Sequence, residues 1–142
     1  MRVGEPLQDK VKLLISIKCI TALSALVFLA YIGDIKRFKS VRKMNSCLGL
    51  VPSIKKSANK SIDGHINKAS RNLTRTILTQ SFVQAIDASV NFKRFYDYTK
   101  SRRGAGRASI GLIRKICGIM RRMLLDGELY RDIKLSLLLF YI

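Results

Sequence analysis

Acidic residues, histidine and paired cysteines are scarce in this chain, and each scarcity removes a class of chemistry. The nine acids (Glu5, Asp9, Asp34, Asp63, Asp87, Asp97, Asp126, Glu128, Asp132) lie mostly singly along 142 residues. Two-metal phosphoryl transfer needs converging carboxylates. The nearest approach to a pair, Glu128 and Asp132, stands near the end of a basic chain. His65 is the single histidine, which argues against His-based metal or triad chemistry. Cys19, Cys47 and Cys117 are odd in number, widely spaced and form no CxxC, so no zinc site is expected and no metal is assigned. Three buried thiols in a reducing cytoplasm are their default reading.

Long apolar runs are also missing. Fourteen uncharged residues run from Cys19 to Ile32 (CITALSALVFLAYI), whereas a membrane-spanning helix needs roughly 20, so a buried core helix fits better. A secretion signal fits poorly, because Glu5 and Asp9 occupy its would-be positive region and no small-x-small cleavage site follows. The closing LSLLLFYI, residues 135–142, is too short to span. No membrane partner is expected from these segments.

Positive charge is abundant. Twenty-seven Lys and Arg leave a formal net charge of +18. A surplus of that size repels itself until a polyanion neutralises it, which makes a nucleic acid the leading partner and an anionic membrane the second. The hydrophobic share of 48% lets a chain of this length bury one core without disulfide or metal staples.

Helical periodicity dominates, and no alternating strand pattern runs far. The pattern predicts an all-α single domain of five to seven helices with a helix-hairpin-helix-like start and a long Ser/Lys-rich loop. A tail covers 1–10 and the domain 11–134. Within the domain a helical hairpin covers 11–33, with helices over about 8–17 and 22–32 and Gly33 as a left-handed cap. Ser40 suits an N-cap for a helix to about Leu48, ended by Gly49 and the turn before Pro52. Residues 51–68 are polar and aperiodic and read as a loop. A long helix fits 70–90. Residues 91–100 carry four aromatics among charges, and 101–107 (SRRGAGR) read as a Gly-broken basic turn.

The clearest amphipathic helix covers about 107–125. Ile110, Ile113, Cys117, Met120 and Leu124 form its apolar seam, while Arg107, Arg114 and Arg121 repeat every seven with Lys115 and Arg122 beside them. A solvated charge face is the plain account. Five cations with no acid between them favour contact with a phosphate backbone.

In the loop, Ser53, Ser57 and Ser61 are surrounded by Lys55, Lys56 and Lys60. A serine can attack a phosphodiester if cations hold the phosphate and a base removes its proton. No base is evident, so from spacing alone the loop reads as a solvated linker. Lys68, Arg71 and Arg75 extend its basic character as further candidate phosphate contacts. The tight turn of a helix-hairpin-helix, which holds phosphate with backbone amides between two glycines, would fall on Cys19-Ile20-Thr21 with Ala25 following. Both glycines are absent, so core packing is the expected role there.

The runs YIGDIKRFKSVRKMNSCLGLVPS (31–53), KSANKS (56–61), GHINKASRNLTRTIL (64–78), AIDASVNFKRFYDY (85–98) and RASIGLIRKICGIMRRMLLDGELYR (107–131) together resemble one family. It is the C-terminal, serine-bearing domain of insertion-sequence-110/116/902-type transposases, relatives of the Piv-like DNA recombinases. The resemblance covers about residues 11–134. It implies that Ser57, followed by Ala58-Asn59-Lys60 where the family has an S-G-G-K-like stretch, is the nucleophile. Lys55, Lys56 and Lys60 would then position the phosphate.

The resemblance further implies magnesium in a separate RuvC-like acidic domain, a guide RNA encoded by the element in several members, and tetramers pairing two DNA duplexes. Only about ten residues precede the match, so the RuvC-like domain is expected to be missing and the fragment inactive alone. Oligomers with itself or with full-length transposase are expected. The resemblance implies a charged helix where the apolar 135–142 stands, and a frameshift or premature stop is the expected account. A domesticated DNA- or RNA-binding regulator is the alternative function, with a basic membrane-surface protein behind it.

Overall fold

A computed structural model describes residues 6–51 and 68–131, with side chains in the second stretch from Leu73 onward. Among the described residues there are six α-helices and no strand. They are α1 (Leu7–Ile15), α2 (Ala22–Ile32), α3 (Val41–Cys47), α4 (Lys68–Ala88), α5 (Val90–Arg103) and α6 (Ala105–Asp126), with a 3-10 turn at Ile35–Arg37 between α2 and α3. The all-α expectation is met.

Each boundary has a local cause. α1 stops at Ile15 because the Ser16 hydroxyl turns back to the Leu13 carbonyl at 2.6 Å. Thr21 caps α2 by accepting the Ser24 N–H at 3.2 Å, and Ser40 caps α3 by accepting the Lys43 N–H at 3.3 Å. Gly33 ends α2 with positive φ (64°), but its ψ of −117° lies outside the left-handed helical well expected for it. The chain there turns sharply into the 3-10 segment, where the Asp34 carboxylate accepts the Lys36 N–H at 3.0 Å.

Two sequence expectations were incomplete. The stretch 91–100 is not a separate charged segment but lies within α5, whose buried Phe92 and Phe95 face the core. The break before it falls at Ser89, whose hydroxyl accepts the Phe92 N–H at 3.5 Å. The basic turn expected over 101–107 shrinks to Gly104, which at φ 85° and ψ 162° ends α5 and begins α6. A residue with a side chain would be strained there.

α6 is the central element. It packs against α5, α4, α1, α3 and the 3-10 turn, burying Ala108, Leu112, Ile113, Ile116, Cys117, Met120 and Met123. Its apolar face is therefore broader than the seam read from spacing. Ile113, Cys117 and Met120 are inside, while Ile110 and Leu124 pack at the margin. Each fully buried aliphatic contributes about 1.5–3 kcal/mol.

The hairpin of α1 and α2 behaves as core. Ile17, Cys19, Ile20 and Ala25 are all buried, which agrees with packing rather than amide-based phosphate binding at that turn. A hydroxyl line links α2 to α4, from Thr21 to Ser24 at 3.0 Å and from Ser24 to Ser81 at 3.4 Å. After α6 the chain folds back, so that the Tyr130 N–H reaches the Ser16 hydroxyl at 3.0 Å and its ring lies 6.3 Å from that of Phe92.

Candidate nucleic-acid interface

The candidate residues divide by position. Lys55, Lys56, Ser57 and Lys60 lie outside the described residues. Lys68 and Arg71 lie in the first turn of α4, where only the backbone is described, and Arg75 is exposed one turn further on.

The arginine line of α6 does not present one uniform face to solvent. Arg107 is exposed at the start of the helix, and Arg114 and Arg121 are half-buried. Between them Gly118 faces α3 closely enough that a Cβ there would sit 3.4 Å from Val41 Cγ1. Arg121 uses its guanidinium inward, donating from Nη2 to the Phe38 carbonyl at 2.9 Å, while its Nε is shielded from solvent. Arg122 is exposed and paired to Asp126 at 2.8 Å.

Lys115 is drawn in furthest. Its ammonium lies 4.9 Å from the centre of the Phe95 ring, shielded from solvent and with no hydrogen-bond partner among the described residues. Loss of hydration disfavours its charge and pushes its pKa down to about 8. The aromatic face recovers only part of that cost. Burial acts in the opposite sense on the two core thiols, because a thiolate is the charged form. Cys19 is pushed up to about 11 and Cys117 to about 12, the latter also by its Cys19 neighbour.

A second basic group lies outside the long amphipathic helices, where helical periodicity alone does not display it. Ile35, Phe38, Val41 and Met44 recur every third residue and turn inward, with Ile35 and Met44 buried and Phe38 and Val41 half-buried. Between them Lys36, Arg37, Lys39, Arg42 and Lys43 are all exposed, and none has an acidic partner among the described residues. The spacing of three, with cations in the gaps, is the signal that identifies them.

Their backbone is held from several sides. Asp34 and Ser40 cap the two short helical turns, and Arg121 of α6 grips the carbonyl of Phe38. Arg37 lies 4.6 Å over the Phe38 ring, with an Nη2 contact to the Tyr31 carbonyl at 3.5 Å. The only acid in this stretch, Asp34, is engaged as a cap, and α6 has no acid between Arg107 and Leu125. The result is an outward cationic surface backed by the half-buried Arg121.

Among the described residues no three His, Cys, Asp or Glu side chains come together in a way that would hold a metal ion. Likewise, no described helix is long and apolar enough to cross a membrane.

Comparison with known proteins gives the class of this helical, strongly basic module. Residues 11–97, more than half of the chain, match the model of the transposase IS116/IS110/IS902 family, and the chain belongs to that family. It is also similar to the transposase for insertion sequence element IS1111A of Coxiella burnetii, with 30% identity over 120 residues. That match takes in 82% of this chain and 33% of the relative, so the chain spans about a third of the length of the curated protein it matches. No solved structure matches.

Proposed function

We propose that this chain serves DNA transposition as a nucleic-acid-holding part of a transposase. The supporting observation is the union of family membership with a net charge of +18 whose exposed share includes Lys36, Arg37, Lys39, Arg42 and Lys43, none with an acidic partner among the described residues. Neutralising phosphates with such cations releases counterions, so binding to DNA weakens steeply as salt rises. A guide RNA and assembly with itself or with a longer transposase extend this reading by family resemblance.

In the same reading Ser57 is the nucleophile, with Lys55, Lys56 and Lys60 around the phosphate. The chain by itself holds DNA without cutting it, since its nine acids are scattered mostly singly and attack by serine needs its proton removed and the leaving oxygen stabilised. The experiment incubates the purified chain with end-labelled duplex bearing the element's ends, in magnesium, and separates the products under denaturing conditions. Salt-sensitive retention of the duplex with no protein-linked strand is expected. A covalent adduct lost in Ser57→Ala would overturn inactivity, and absence of any duplex binding at low salt would overturn the reading as a whole.

A further inference from the structure

We infer that the exposed segment from Lys36 to Lys43, rather than the arginine line of α6, is the surface that meets the phosphodiester backbone of duplex DNA. This rests on the nucleic-acid-holding role proposed above and assigns it to particular side chains. Five cations fall within eight residues, a stretch that spans no more than about 25 Å even fully extended. Duplex DNA offers one negative charge per about 1.7 Å of axis, so several phosphates lie within reach of the segment at once.

Three features of the segment favour a polymer backbone over other anions. The cations stand on an outward surface, which suits a repeating charge met at several points better than a small ion held in a pocket. They are preorganised, because the buried Ile35 and Met44, the caps at Asp34 and Ser40 and the Arg121 clasp on Phe38 fix the backbone before any ligand arrives. Little ordering cost is then left for binding. Finally, none of the exposed large apolar residues, such as Leu23, Leu26 or Leu73, lies between residues 33 and 51. A membrane-surface element would place apolar side chains beside its cations, where they could enter the lipid.

On α6 the geometry is reversed. Arg114 and Arg121 are half-buried, Lys115 is shielded beside Phe95, and Arg122 is matched by Asp126. Arg121 supports the segment through the Phe38 carbonyl and acts as a positioning residue for it.

The test compares two charge-matched triple variants of the full chain, both confined to exposed side chains. Lys39→Gln/Arg42→Gln/Lys43→Gln removes three charges from the segment, and Lys12→Gln/Lys18→Gln/Lys93→Gln removes three elsewhere. Affinity for a short random-sequence duplex is followed against salt, with circular dichroism to show that each variant is folded. If the three side chains contact phosphates, the slope of log K against log salt becomes shallower by about 0.9 per contact, about 2.7 in total. Binding at low salt weakens at least tenfold more than in the control triple.

Equal losses in the two triples, or an unchanged slope in the segment triple, would overturn the assignment and leave the functional reading standing. The assignment also fails if the segment triple impairs binding only to structured RNA and leaves duplex DNA untouched. Failure of the unmodified chain to bind duplex at any salt would remove the functional reading, and this one with it.

Discussion

The 3-10 turn with α3, and α6, carry five named cations each, yet fold puts them to opposite uses. Residues 36–43 interleave charge with an apolar spacing of three, and every charge ends outside. The cations of α6 sit beside a broad buried face, and three of the five are half-buried against neighbouring elements. Charge density in sequence is therefore a poor guide to available charge. What decides the outcome is how many other elements pack on the helix that carries it, and α6 is covered from five directions.

If that contrast is right, changes on α6 should damage folding, while changes at 36–43 should leave it intact. The largest effect is expected for Met120→Ala, which empties a fully buried site on α6. A loss of about 2–5 kcal/mol in denaturant unfolding is the expectation, and a loss well under 1 kcal/mol would show that α6 is not the packed centre. Arg121→Gln removes the bond to Phe38 that ties α6 to the exposed segment. It should cost about 1–2 kcal/mol and speed hydrogen exchange around residues 38–43, and unchanged exchange would break the proposed clasp.

Lys115→Met should act in the other direction. The unfolded chain holds the Lys115 proton up to the ordinary lysine value of 10.5, whereas the folded chain releases it near 8. Stability should therefore climb as pH rises across that window, because the unfolded state binds more protons there. The substitution should stabilise the protein by about 1 kcal/mol at neutral pH, and this advantage should shrink toward pH 10.5. A destabilised variant would mean that the contact with the Phe95 ring outweighs desolvation.

Lys39→Gln should shift stability by no more than about 0.5 kcal/mol, as is usual for an exposed side chain without partners. A subtler sign of the same inside–outside division is thiol reactivity. Cys47, half-buried, should react with a maleimide in the native protein while Cys19 and Cys117 resist until it is unfolded, since their pKa values keep them protonated and burial blocks access. Labelling of all three at equal rates would contradict the packing of α1, α2 and α6.

Much of this fold could be read from the sequence, for identifiable reasons. α2 and α3 carry strong local signals in Gly33, Ser40 and Gly49, and their observed ends fall within a residue or two of those expected. α5 was not recognisable as a helix because Phe92, Phe95 and Tyr96 alternate with charges, and its mean character is polar until α6 covers the aromatic side. Gly104 was legible as a break, but Gly106 beside it suggested a longer turn than a single residue of positive φ requires.

The candidate interface was only half legible. The arginines of α6 repeat every seven residues and attract notice, yet the interior claims of α3 and the 3-10 turn on that face are tertiary facts. Lys36 to Lys43 straddle a helix boundary at Ser40, so no single helical period displays them. Ser57 and its neighbouring lysines are carried by family resemblance and lie outside the described residues.

The contact of Tyr130 with Ser16 joins groups 114 residues apart in the chain. α1 likewise finds part of its cover on α6. During synthesis the first hairpin therefore emerges long before α6, leaving α1 without part of its final cover until residues 105–126 have been made. Closure of this domain is thus a late event, set by non-local pairing rather than by the speed of helix formation. A ribosome-bound nascent chain that stops before α6 should expose its first hairpin to chaperones and proteases.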